Sequence, residues 1–302
     1  MVTRVRLLAI AALALVVTSP VPAFSQNGRP LSVSAESVLL VDPEGRIIYA
    51  KNPDEAHAPA SLVKMMTLYL ALDDIEAGRA GWDDLVTITR RATATARYRM
   101  GLRAGEHVTL RVLLEGVGIA SANDAAAAVA EHLAGDEDVF VARMNAKAAE
   151  LGLTQTRFAN PHGLPDPAQR STARDLAELI LRLLRDHPSS RTILGGQTFI
   201  YRGRVYARRI PLFNDPGGVE ALKTGYTHEA GFNLAVAAWR AGQQFLMIVL
   251  GSHTRGLSFR DAKKLLRYGF VEAGLEDDRE EPRRVPVRKP IRARSLSRTQ
   301  RG

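Results

Sequence analysis

The densest apolar run of the chain is Leu62-Val63-Lys64-Met65-Met66-Thr67-Leu68-Tyr69-Leu70-Ala71-Leu72, hydrophobic on nearly every face of a helix. A helix that is apolar all round has to lie inside a domain. Pro59 ahead of this run and Gly78 behind it set its bounds. Upstream, Ser37-Val38-Leu39-Leu40-Val41 and Ile47-Ile48-Tyr49-Ala50, joined by the turn Asp42-Pro43-Glu44-Gly45, predict a β-hairpin. Downstream, a short alternating piece at Leu85-Val86-Thr87-Ile88 is followed by apolar positions at helical spacing. These predict helices at Leu110 to Gly118, Asp124 to Leu133 (ended by Gly135), Glu137 to Leu151 (closed by Gly152) and Thr172 to Arg185.

The period then changes. Thr198 to Tyr201 and Val205 to Ala207 read as a small hairpin. Val219 to Tyr226, Phe232 to Trp239 and Phe245 to Gly251 read as three successive strands, and a helix from Leu257 to Val271 closes the pattern. Strands at both ends with helices between them predict an α/β (α+β) fold. The expected architecture is one antiparallel sheet built from both chain ends and flanked by helices, with an all-helical subdomain inserted at about 70–190.

Composition narrows the class. The 302 residues are 46% hydrophobic and 24% charged, an ordinary globular balance. Arg4 and Arg6 precede the apolar run Leu7 to Val17 and the small-residue stretch Val21-Pro22-Ala23-Phe24-Ser25. Residues 1–25 therefore read as a secretory signal peptide, cleaved after Ala23 or Ser25. The mature protein is expected to be exported and soluble in the periplasm or another extracytoplasmic space, with no transmembrane anchor.

The absence of cysteine excludes disulfides, a thiol nucleophile and a lipid-bearing cysteine. The histidines show no metal-ligand spacing, so neither a metal nor another cofactor is expected. The net charge of +9 is concentrated at the C-terminus, where Arg279 to Gly302 carries nine basic residues against Glu280 and Glu281. That composition argues against nucleic-acid binding by the folded part. It predicts a catalytic domain over 26–275 and a basic disordered tail over 276–302. The tail reads either as a solvated extension or as a weak electrostatic contact to anionic envelope surfaces.

Three fragments carry candidate chemistry. Ser61 and Lys64 are three apart where the buried helix begins, so hydroxyl and amine share one face of its first turn. A desolvated, neutral amine there can take the proton of the hydroxyl. Alone, the pair reads equally as a capping serine and a lysine that snorkels to solvent. Ser121-Ala122-Asn123 lies on a short extended loop before the alanine-rich helix, where alternate side chains face one cleft or merely cap the helix. Lys223-Thr224-Gly225, followed by Tyr226, lies in a strand. The glycine there marks either close approach of a ligand or an ordinary solvated edge.

Taken in order, S-x-x-K, S-x-N and K-T-G form the motif set of penicillin-binding proteins and class A β-lactamases, with Ala122 where an aspartate is usual. The chain resembles the serine-type D-Ala-D-Ala carboxypeptidases, the low-molecular-mass penicillin-binding proteins of the β-lactamase/transpeptidase-like superfamily. Ala60 to Thr67, Ser121 to Ala126, Asn160-Pro161-His162-Gly163-Leu164-Pro165 and Lys223 to Thr227 all carry the likeness, which extends over roughly Val33 to Val271.

The resemblance implies that Ser61 attacks the terminal D-Ala-D-Ala bond of peptidoglycan stem peptides in cell-wall synthesis, with β-lactams as covalent inhibitors. It makes Lys64 the general base, Ser121 a proton relay, and Asn123 the holder of Lys64 and of the substrate amide. Lys223 and Thr224 would face the carboxylate, and Gly225 and Tyr226 would line the site, with the N–H groups of Ser61 and Tyr226 as oxyanion hole. Carboxypeptidases of this kind commonly carry an arginine at the start of the last helix. Ser258 stands there in this chain, between Arg255 and Arg260.

Three alternatives remain open at this point. A DD-endopeptidase shares every motif. A β-lactamase would need a deacylating glutamate, and neither Glu178 nor Glu220 has the E-x-x-L-N setting. An inactive wall-binding protein has little use for the complete motif set.

Overall fold

Residues 31–214 and 218–276 are described by a computed structural model. The expected signal peptide and basic tail lie outside these residues. Strand β1 (Ser37–Val41) is buried along its whole length because both faces of its sheet are covered. Leu39 and Val41 join one core, while Val38 and Leu40 join the other. Successive side chains of a strand point to opposite faces, so a doubly covered strand reads as an unbroken apolar run.

The sheet has the order β2-β1-β9-β8-β7 and is antiparallel throughout. Its other members are β2 (Ile47–Lys51), β7 (Val219–Thr227), β8 (Gly231–Arg240) and β9 (Gln243–Ser252). Both chain ends thus build one sheet, as the sequence predicts. Strand β9 repeats the division seen in β1: Leu246, Ile248 and Leu250 face one core, and Phe245, Met247 and Val249 face the other.

Helix α8 (Arg255–Glu272) covers the second face with Phe259, Ala262, Leu265, Leu266 and Phe270. Each large apolar side chain buried in this way contributes roughly 1.5–3 kcal/mol. The first face is covered by α1 (Lys64–Glu76) and the helices around it: α3 (Leu110–Gly118), α4 (Asn123–Ala134), α5 (Glu137–Glu150) and α6 (Ala173–Asp186). The helical block also holds α2 (Arg90–Ala94) and the two-stranded ribbon β3 (Leu85–Thr87) and β4 (His107–Thr109).

Helix α7 (Ser189–Gly195) is absent from the sequence reading. Pro188 looks like a stop after α6, yet it occupies the N-cap of the next helix. A hairpin, β5 (Thr198–Tyr201) and β6 (Arg204–Ala207), leads back toward the sheet. The Tyr206 hydroxyl donates to Met100 O at 2.6 Å and the Tyr201 hydroxyl to Glu106 at 2.7 Å, fastening the hairpin to the helical block. Among the described residues, no helix is long and apolar enough to cross a membrane.

Candidate active site

Ser61 does not cap α1. It lies inside a 3₁₀ turn, Ala60–Val63, that runs directly into the helix, and the helix start has no side-chain cap. In a 3₁₀ turn, side chains three apart eclipse one another. The S-x-x-K spacing therefore stacks Ser61 and Lys64 more directly than an α-helical turn would. Lys64 does not snorkel either, since it is 0% exposed.

The Lys64 Nζ has three partners: Ser61 Oγ at 3.2 Å, Asn123 Oδ1 at 2.7 Å and, in a short contact, the carbonyl of His162. The last two can only accept. A neutral amine that gives one N–H to each of them has its lone pair left for the Ser61 hydroxyl. Burial pushes the Lys64 amine down to about 7, against the opposing attraction of Asp124. The arrangement is that of a serine hydroxyl facing a base that is mostly neutral above about pH 7.

The His162 carbonyl is a contact that the sequence reading missed. A backbone oxygen has no residue-type signature, although His162 stands in the Asn160 to Pro165 stretch that the reading singled out. The loop is held close to Ser61 by its own bonds. Gly163 N donates to Asn160 Oδ1 at 2.7 Å, and the positive φ of Gly163 (83°) lets its backbone pack against Ala60 with no room for a Cβ. The Thr67 hydroxyl donates to Pro161 O at 2.6 Å.

Ser121 and Asn123 both reach the site, though not from an extended loop. Ser121 has a left-handed φ of 55°, which turns its hydroxyl toward Lys223. Lys223 Nζ donates to Ser121 Oγ at 2.7 Å and to Thr224 O at 2.8 Å. Asn123 takes Lys64 on its Oδ1 and gives its Nδ2 to Ala96 O (2.9 Å) and Arg97 O (2.8 Å). Those two bonds pin Arg97 and Tyr98, consecutive non-glycine residues at φ 45° and 44°.

Next to Asn123, the buried Asp124 accepts from Met100 N at 3.0 Å, Gly101 N at 2.9 Å and Leu102 N at 3.1 Å. Asp124→Ala leaves those three donors without their partner. It is expected to cost about 3 kcal/mol of stability, read as a lower urea midpoint at unchanged slope.

Lys223 belongs to an edge strand but is only 2% exposed, so the solvated-edge alternative does not hold. Burial, then the charges of Lys64 and Arg208, push its amine well below the usual lysine range. Gly225 lies where β7 crosses the 3₁₀ turn, and a Cβ there would come within 3.1 Å of Pro59 O and Ser61 N. A side chain there would have to push the strand and the turn apart by a few tenths of an ångström, so glycine lets the two backbones run this close.

A cleft of about 760 Å³ opens at this site, and its lining includes Ser61, Tyr98, Ser121, Thr224, Gly225 and Tyr226. Arg208 also lines it, another residue missed from sequence because it stands among the charged residues of a hairpin. Its guanidinium donates to Gly196 O, Leu222 O and Leu194 O, tying the hairpin to β7, and burial pushes it down to about 10. No cluster of metal-ligating side chains occurs among the described residues.

Comparison with known proteins gives the family. The D-alanyl-D-alanine carboxypeptidase DacC of Escherichia coli is 36% identical over 247 residues, 79% of this chain and 62% of that protein. The chain thus spans about three fifths of that carboxypeptidase's length. A D-alanyl-D-alanine endopeptidase of Pseudomonas aeruginosa is 30% identical over 296 residues, 91% of this chain and 93% of that protein. Among solved structures, penicillin binding protein 5 from Haemophilus influenzae superposes with a TM-score of 0.78 at 35% identity, over 80% of this chain and 72% of that one. The D-alanyl-D-alanine carboxypeptidase model of peptidase family S11 matches residues 23–254, a span that holds all three motifs, and the chain belongs to that family.

Proposed function

We propose that the chain is a serine-type D-Ala-D-Ala carboxypeptidase, exported to the periplasm, that trims peptidoglycan stem peptides and is acylated by penicillin. The observation that carries this reading is the Lys64 amine, held by two acceptor-only oxygens, with its remaining direction toward Ser61 Oγ at 3.2 Å. Ser61 Oγ bonds to the carbonyl carbon of the penultimate D-alanine as its proton passes to Lys64. The C–N bond then breaks and terminal D-alanine leaves, its nitrogen protonated through Lys64 and Ser121. Water hydrolyses the acyl-Ser61 ester and regenerates the hydroxyl.

The N–H groups of Ser61 and Tyr226 receive the developing oxyanion, where such donors contribute several kcal/mol. Lys223 and Thr224 receive the carboxylate of the leaving D-alanine, an anion that favours the charged form of the depressed Lys223 amine. Hydrolysis of peptide cross-links is a second reading. It is favoured by the endopeptidase relative, which matches over nearly the full length of both chains, whereas the carboxypeptidase relative does not.

The test is mass spectrometry of the intact protein after exposure to penicillin and, separately, to diacetyl-Lys-D-Ala-D-Ala. A penicilloyl adduct mapped to Ser61, absent from a folded Ser61→Ala variant, is the expected result. An adduct on any other residue would sink the assignment.

A further inference from the structure

The stretch from Asn160 to Pro165 is tied to α1 at two adjacent carbonyls. Pro161 O accepts from the Thr67 hydroxyl at 2.6 Å, and His162 O accepts from Lys64 Nζ in a short contact. The next residue, Gly163, packs its backbone against Ala60. Ala60 has a left-handed φ of 48°, uncommon for a residue with a Cβ, and stands immediately before Ser61. Backbone of this kind persists only where its surroundings fix it. One loop thus touches both the backbone that presents the nucleophile and the amine that activates it.

Behind the loop lies a side chain that the acyl-transfer steps do not use. Gln169 is 6% exposed, and its amide is bonded at both ends within the loop. The Oε1 accepts from Ala159 N and Asn160 N, both at 3.2 Å. The Nε2 donates to Leu164 O at 3.1 Å and to Asn160 Oδ1 at 3.4 Å. Asn160 completes the clamp, giving its Nδ2 to Leu164 O at 3.0 Å while its Oδ1 accepts from Gly163 N at 2.7 Å. The two amides therefore join the ends of the loop, with His162 between them. A void of only about 10 Å³ remains where Ala60, Gly163, Leu164 and Gln169 meet, so the loop has little room to shift.

We propose that Gln169 is a positioning residue for the general base. By closing the loop from Asn160 to Leu164 it fixes the direction of the His162 carbonyl, and through that carbonyl the lone pair of Lys64. The proposal rests on the acyl-transfer reading of Ser61 and adds to it a side chain outside all three motifs. The His162 carbonyl is one of the two acceptor-only oxygens that hold Lys64 N–H groups. When it drifts, one N–H is released and the lone pair no longer stays on Ser61 Oγ. Gln169 does not line the cleft, so substrate binding is left as it was.

The test is stopped-flow titration with penicillin, which separates the noncovalent binding constant from the acylation rate constant. Gln169→Met keeps the length of the side chain and removes all four hydrogen bonds. It is expected to lower the acylation rate constant about 10–100-fold, the scale of a misplaced reacting group, with binding within about twofold of wild type. Gln169→Glu keeps the acceptor for the Ala159 and Asn160 N–H groups and loses only the Nε2 donor. It serves if the methionine variant does not fold, and should show the same split with a smaller fall. Asp261→Ala is the control for stability. Asp261 accepts from Ser34 and Ala35 on the α8 side of the sheet, and its loss should lower the urea midpoint without slowing acylation.

An unchanged acylation rate constant in a folded Gln169 variant overturns the proposal. So does a loss confined to binding, or an equal loss of acylation in Asp261→Ala, which would make the effect one of general stability. A wild-type protein that forms no penicilloyl-Ser61 would overturn the acyl-transfer reading instead.

Discussion

Replacing Lys64 by arginine is expected to lower the rate of Ser61 acylation by about 10³-fold or more, the scale of losing a positioned general base and nucleophile activation together. Guanidinium stays protonated at any accessible pH and has no lone pair to offer. In the wild-type protein the same logic gives a pH profile. The amine works when neutral, and burial places its midpoint at about 7. The acylation rate should therefore be flat above about pH 8 and fall roughly tenfold per unit well below 7. Stopped-flow penicillin acylation between about pH 5 and 9 checks this. A rate that ignores pH across that range would remove Lys64 as the titrating base.

Asn123→Ala should be the next most damaging change, because one side chain serves two structures. Its Oδ1 fixes one N–H of Lys64 and its Nδ2 holds the carbonyls of Ala96 and Arg97. Without the first, the amine can rotate its lone pair away from Ser61. Without the second, Arg97 and Tyr98 lose the bonds that hold two adjacent left-handed residues in place, each a conformation costing on the order of 1–2 kcal/mol. Acylation is expected to drop about 10²-fold and stability by roughly 2–4 kcal/mol. Penicillin adduct formation and urea unfolding, measured on the same preparation, separate the two effects. Stability that falls while acylation is untouched would mean that the His162 carbonyl alone orients the amine.

The elements and the three motifs were legible because their signals are local. The apolar run after Lys64, the alternation in β8 and β9, and the glycines after α4 and α5 each report the backbone state of their own neighbourhood. Ser61 and Lys64 are legible as a pair for the same reason, since their contact is set by a spacing of three. What could not be read is whatever depends on a partner distant in sequence without a residue-type requirement. The His162 carbonyl at Lys64 is such a contact, and so are the three carbonyls that turn Arg208 from a surface arginine into a half-buried clamp. Ser121 fails for a different reason. A left-handed serine carries no sequence mark, so its loop was read as extended. Helix α7 was lost because Pro188 ends one helix pattern and opens the next, a distinction that only the path of the chain makes.

The complete burial of Lys64 also ties folding to protons. Its amine titrates at about 7 in the folded chain against 10.5 for an ordinary lysine, so between those values the unfolded chain holds one more proton than the folded one. Through this group, stability rises with pH across that interval by up to about 1.4 kcal/mol per unit. Its unfavourable contribution is greatest below 7 and vanishes above 10.5. The proton that silences the base is thus the same proton that weakens the fold. Acidification withdraws activity and stability together, and an anion bound from the cleft side would favour the charged amine, restoring part of the stability while holding the base protonated.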